Sequence, residues 1–115
     1  RWIAKSDVAD RIVVHLGDGR KLMKSFPDGS ADAAFLDADK KSYPAYLKES
    51  LRILRPGGLV MADNAFAFGQ LFDRNPTDRE APAVKKFNDV MARTKEVHAI
   101  IVPIGDGCWV GVKRG

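Results

Sequence analysis

The sequence predicts an α/β fold, and three observations carry that expectation: short apolar runs that stop abruptly in charge, amphipathic stretches between them, and Gly- or Pro-marked breaks at the joints. Residues 11–17 form a β-branched run closed by Gly17, Asp18 and Gly19, the punctuation of a first strand entering a loop. Residues 20–26 then place Leu22, Met23 and Phe26 at helical spacing before Pro27, Asp28, Gly29 and Ser30 turn the chain. Residues 33–37 are a continuous apolar run ending in Asp37, as a strand buried on both faces of a parallel sheet requires. Over residues 43–54, Tyr46, Leu47, Leu51 and Leu54 share one helical face, and Pro56, Gly57 and Gly58 stop the helix. Residues 59–62 make the next buried strand, which ends in Asp63 and Asn64. The stretch 65–82 is too long for a mere connector and has the character of a lid. Residues 83–94 carry Val84, Phe87, Val90 and Met91 at helical spacing, and strands 98–102 and 109–113 flank a turn at 103–107, an antiparallel hairpin. Strand-helix-strand alternation implies right-handed parallel crossovers, and the terminal hairpin makes the sheet mixed.

Length and composition bound the function. At 115 residues the chain is one small domain or part of one. Its 45% apolar and 30% charged residues match a soluble globular protein rather than a disordered one. The net charge of +4 is spread over helical stretches with acidic residues interleaved, which argues against nucleic acid as a partner. No run approaches the ~18 apolar residues of a membrane span. The only cysteine, Cys108, lies in an apolar strand pattern with no base near it in sequence, so it reads as an inert thiol, and a cytoplasmic location is expected.

In open α/β sheets ligands gather at the carboxyl ends of the strands, which is where Asp18, Asp37, Asp39, Asp63 and Asn64 fall. If the strands ending at Asp37 and Asp63 are neighbours, two carboxylates and an amide oxygen meet near one point. Those are hard oxygen donors, suited to Mg²⁺, or to Mn²⁺ or Ca²⁺ in its place, and a poor match for zinc. A shared cation would also relieve the repulsion between the carboxylates. Carboxylates after buried strands also serve as helix caps or turn residues, and spacing alone leaves both readings open.

Three motifs in order carry a family resemblance. Residues 35–43, running from Phe35 through Asp37, Asp39 and Lys40 to Tyr43, residues 54–64, and residues 103–107 resemble the successive motifs of the cation-dependent, S-adenosylmethionine-using O-methyltransferases of the caffeoyl-coenzyme A and catechol type. Trp2 and residues 10–12 resemble the family's approach to its third strand. The resemblance implies the carboxyl-terminal part of a Rossmann-like class I methyltransferase fold. It places the metal ligands on Asp37, Asp63 and Asn64, cofactor contacts on Asp18, Gly19, Asp37 and Asp39, and a catalytic lysine on Lys40. The implied reaction moves a methyl group from S-adenosylmethionine to a hydroxyl of a catechol-like or other small aromatic acceptor. The metal lowers the pKa of that hydroxyl, and Lys40 handles the proton with an amine pKa lowered by burial and by the cation. Phe66 and Phe68 offer an apolar wall to a planar acceptor, with core packing as the competing account. Phe68 stands where plant members carry an asparagine, which argues against a coenzyme A thioester.

The family's glycine-rich nucleotide loop and acidic ribose ligand are not found in this sequence; residues 105–111 read as a hairpin turn instead. The expectation is therefore a partial methyltransferase domain over residues 1–115, without the amino-terminal half of the cofactor pocket. Two strands that the family sets between residues 11–17 and the strand ending at Asp37 would be missing. That predicts an exposed apolar edge beside Phe35, pairing with a second copy or with the missing segment, and an isolated chain that binds S-adenosylmethionine weakly and is inactive. Two alternatives come from other classes: a non-catalytic dimerisation or binding remnant, and a receiver-like phosphoacceptor domain. Against the receiver, no acidic pair follows the first strand and no Ser or Thr follows Ala62.

Overall fold

The computed structural model describes all of residues 1–115. Four strands, β1 (Ala31–Leu36), β2 (Leu54–Ala62), β3 (Val97–Val102) and β4 (Cys108–Lys113), form one sheet in the order β1-β2-β4-β3. β1 and β2 are parallel, with Leu36 beside Ala62, and β4 runs antiparallel to both β2 and β3. The mixed sheet and the hairpin therefore match the sequence expectation.

Helix α2 (Tyr43–Ile53) makes the crossover from β1 to β2. It opens with Pro44 in its first turn, where a missing N–H costs nothing. Tyr43, Leu47 and Ser50 form its fully buried line, while Tyr46 and Leu51 are only half-buried, a rotation of the expected face. Helix α3 (Ala81–Arg93) buries Ala81, Val84, Phe87 and Met91 and leaves Val90 half-covered. Both helices close over Leu36, Leu54, Val60 and Trp109 in a single core. The Tyr43 and Phe87 rings meet edge to face at 5.0 Å, fixing α2 against α3. Asn88 ties α3 to the sheet and to the following loop: its Oδ1 accepts from Trp109 Nε1 at 2.8 Å and its Nδ2 donates to the Ala65 carbonyl at 2.8 Å.

Three expectations are corrected. Residues 11–17 do not form a strand: a 3₁₀ turn covers Ala9–Arg11, Ile12 is extended, and residues 12–17 have no ladder partner. A strand is defined by its neighbour, and no strand lies beyond β1, where Phe35 is 58% exposed. The β2 strand begins at Leu54 rather than after Gly58, because Arg55 to Gly58 bulge out between the Ala31–Leu54 and Ala33–Leu59 pairs. The helix expected over residues 20–26 shrinks to α1 (Gly19–Leu22) and a 3₁₀ turn over Met23–Ser25.

Candidate active site

Parallel pairing of β1 with β2 brings Asp37 and Asp63 to adjacent strand tips, since Leu36 and Ala62 are register partners and the Asp63 N–H donates to the Leu36 carbonyl at 3.0 Å. Neighbouring strands lie about 4.8 Å apart, so the two side chains start within reach of a common point. Asn64 follows in the left-handed region at φ 66°, a conformation asparagine tolerates better than most residues. Its Nδ2 donates to Asp106 Oδ2 at 3.1 Å, so its amide oxygen remains without a protein donor.

Asp106, in the β3–β4 turn, was not among the sequence candidates and organises this corner. Its carboxylate accepts from the Phe68 N–H at 2.8 Å and the Gly69 N–H at 3.1 Å as well as from Asn64. The loop it holds is unusual: Ala67 and Phe68 also have positive φ, 53° and 60°. Such backbone persists only where surrounding contacts over-determine it. The only sequence trace of this role is a lone acid between two glycines, which reads equally well as a hairpin turn.

Lys40 is 3% exposed and sits just beyond the β1 tip. Its Nζ donates to Tyr43 Oη at 2.6 Å and reaches Asp37 Oδ1 at 3.4 Å; Tyr43 Oη in turn donates to the Leu36 carbonyl at 2.9 Å. The Lys40 N–H is held by Glu80 Oε1 at 3.1 Å. Burial pulls the Lys40 amine down, but the Tyr43 hydroxyl and the Asp37 carboxylate outweigh it, and the amine ends above its ordinary value. The protein's own groups therefore favour the ammonium. Burial likewise pushes the Tyr43 phenol up, against the opposing pull of Lys40.

The remaining predicted residues form a second group on the other side of Asp37. Asp18 caps α1, accepting from the Arg20 N–H and guanidinium at 2.9 Å, and the Arg20 side chain holds its carboxyl at about 2. Burial, then the charges of Asp39 and Asp18, raise the Tyr46 phenol. Gly19 lies against the Tyr46 ring, where a Cβ would come within 3.2 Å of it. An open cleft of about 460 Å³ runs beside this group, with Gly17, Gly19, Asp37, Ala38 and Tyr46 on its wall.

Phe66 and Phe68 are half-buried, and both have packing roles. The Phe66 ring covers Gly107, leaving no room there for a Cβ, and Phe68 packs on the small cluster of Ala67, Ala81 and Val84. Cys108 is raised by burial and then by the Asp63 charge, consistent with an inert thiol. No three His, Cys, Asp or Glu side chains gather at one point; the donors at the strand tips are two carboxylates and one amide. As a set they are hard oxygen ligands and fit an oxygen-seeking divalent ion.

A helix-covered sheet with acidic residues at its parallel strand tips defines the chain as part of a Rossmann-like α/β fold. A sequence model of the O-methyltransferase family matches residues 1–114, and the chain belongs to that family. A Mycobacterium avium protein named "Putative O-methyltransferase" is 32% identical over 97 residues, which are 84% of this chain and 44% of that protein. The chain thus spans less than half the length of such curated relatives. Among solved structures, cofactor-bound Rv0187 from MTB superposes with a TM-score of 0.87 at 26% identity, covering 97% of this chain and 53% of that one. The O-methyltransferase TomG of Streptomyces achromogenes, in complex with SAM, gives a TM-score of 0.81 at 25% identity, covering 98% and 54%. SAH-bound PaMTH1 of Podospora anserina gives 0.82 at 25% identity, covering 98% and 53%. No helix is long and apolar enough to cross a membrane.

Proposed function

We propose that this chain carries the metal and proton-handling half of an S-adenosylmethionine-dependent O-methyltransferase that acts on a hydroxyl of a catechol-like or other small aromatic acceptor. The observation that carries the reading is the corner where Asp37, Asp63 and Asn64 close two adjacent strands beside a buried Lys40. Family membership and the cofactor-bound neighbours support it.

In this reading Asp37, Asp63 and Asn64 hold Mg²⁺, for which Mn²⁺ or Ca²⁺ can substitute. Asp106 is a positioning residue: by taking the Asn64 amide N–H it turns the amide oxygen to the ion and fixes the loop that carries Phe66 and Phe68. When bound, the cation makes an acceptor hydroxyl more acidic and S-adenosylmethionine supplies the methyl group. Asp18, Gly19 and Asp39 line the cofactor side, where the Asp39 carboxylate and Tyr46 present polar groups to a nucleoside. Lys40 stands between Asp37 and Tyr43 and holds or takes the acceptor's proton at Nζ. With a cation held by Asp37, Lys40 would share that carboxylate, and its amine pKa would fall toward the value a proton acceptor needs. Phe66 and Phe68 offer the edge of their packed rings to a planar acceptor.

The test is a Mn²⁺ titration of the chain followed by paramagnetic broadening of its amide signals. Broadening should centre on residues 37, 63 and 64 and vanish in Asp63→Ala while the rest of the spectrum keeps its folded dispersion. Broadening centred elsewhere, or unchanged in the variant, sinks the metal assignment. Joined to the amino-terminal half of a family member, the chain should methylate a catechol only with the divalent ion present.

A further inference from the structure

A groove runs between α2 and α3 on the helical side of the sheet. Both helices connect strands of this chain, α2 from β1 to β2 and α3 from β2 to β3, so each wall is anchored at both ends. Towards the carboxyl ends of the helices the groove opens to about 440 Å³ over Pro44, Leu47, Leu51 and Val90, with Lys48 and Lys113 beside them. Towards the amino ends it holds about 370 Å³ between Lys41, Ala83 and Lys86. Pro44 lines both stretches, which makes them one groove. Residues 44, 47, 48 and 51 of α2 follow the spacing of a single helical face, as do 83, 86, 90 and 94 of α3.

Charge in this groove is one-sided. Lys41, Lys48, Lys86 and Lys113 join no ion pair, and Glu96 is the only acid on the walls. Lys40 lines the narrow end too, but its ammonium is turned inward to Tyr43 and Asp37. Neither helix has an acid in its first turn or a side-chain cap, so the positive ends of both helix dipoles add to the field of Lys41 and Lys86. An apolar floor flanked by uncompensated cations is complementary to a segment that is apolar along one side and acidic along its flanks. A flat anionic surface would engage the lysines and leave the concave apolar floor empty, which favours a peptide.

We infer that the groove between α2 and α3 docks an acidic amphipathic helix of a partner protein. Its apolar side chains lie on Leu47, Leu51 and Val90, and its carboxylates face Lys41, Lys48 and Lys86. The 11 residues of α2 span about 16 Å, which matches about three turns of an incoming helix. Burial of the half-exposed Leu51 and Val90 supplies affinity, while the lysines set the direction of the helix and reject a basic one. This docking is independent of methyl transfer.

The probe is a synthetic helical peptide of about three turns, with leucines spaced along one face and glutamates elsewhere, alongside the same peptide with lysines for the glutamates. Titrated into the chain, the acidic peptide should saturably shift the amide signals of residues 41–51 and 83–94, and its affinity should fall as salt rises. Lys41 and Lys86 are exposed, so Lys41→Glu combined with Lys86→Glu should leave the β2 and β4 signals in place and weaken binding at least roughly tenfold. The lysine peptide should leave the groove signals unmoved. Absence of binding by the acidic peptide overturns the proposal, as do shifts centred outside the groove, equal binding of both peptides, or an affinity that the double variant leaves unchanged. Phosphatidylserine vesicles that displace the acidic peptide from the groove overturn it in favour of a lipid surface. An amino-terminal half of a family member that occupies the groove when joined to the chain overturns it in favour of a segment of the same protein.

Discussion

Asp106 shows how a single acid can set the shape of a site it does not obviously belong to. Its two oxygens accept two loop N–H groups and the Asn64 amide, and all three donors lie in a segment with left-handed backbone at Asn64, Ala67 and Phe68. Hydrogen bonds to a charged acceptor are the strong kind, and removing this one strands several donors at once. Asp106→Ala should therefore cost about 2 kcal/mol in chemical denaturation, a loss below about 0.5 kcal/mol showing that the loop holds itself. The Lys40–Tyr43 pair makes a second residue-level prediction, in pH. The Lys40 amine is raised in the folded chain, so its contribution is complete below the ordinary value of 10.5 and is lost as pH climbs through the higher folded value. The Tyr43 phenol, raised from 10.0, has the same sign: ionising it in the fold is disfavoured. Stability should thus be flat near neutrality and fall in the alkaline range, more steeply than for Tyr43→Phe. A variant whose alkaline limb overlays that of the parent would falsify the coupling.

At the scale of elements, what could be read from the string depended on whether an element's burial is local. The runs ending at Asp37 and Ala62 are apolar without interruption, although only the face carrying Leu36, Val60 and Ala62 is buried and Phe35 and Leu59 stay exposed, and α3 shows its buried line as Val84, Phe87 and Met91. These were legible, as was the hairpin around residues 103–107. Residues 11–17 have an equally good strand composition, but strand formation needs a partner edge, and no pattern within a segment reports whether a neighbour is there. Asp106 and Glu80 escaped notice for a related reason: each acts on backbone distant in sequence, Asp106 on residues 64–69 and Glu80 on Lys40. Helix α2 carries one misfit that composition could not flag. Ser50 is fully buried and its Oγ has no hydrogen-bond partner. A desolvated, unmatched hydroxyl is costly, and alanine is the better helix former. Ser50→Ala should raise stability by about 1 kcal/mol, and a destabilised variant would mean that the hydroxyl has a partner in solution.

Across the whole molecule, stability is unevenly distributed. None of residues 1–30 is buried, whereas the core of Leu36, Tyr43, Val60, Phe87 and Trp109 belongs wholly to the later part of the chain. The early residues are attached mainly from residue 19 onward, by Gly19 on Tyr46 and by Arg52, whose guanidinium donates to the Met23 and Phe26 carbonyls at 2.9 Å. Residues before Gly17 contribute two short 3₁₀ turns and mostly exposed side chains, so they offer little to the chain's folding free energy. Deleting residues 1–16 should accordingly change the unfolding free energy by less than about 0.5 kcal/mol. The deletion should also leave amide protection in β2 and β4 set by global unfolding. A deletion that destabilises the chain by several times that amount would show that residues 1–16 pack on the core in solution.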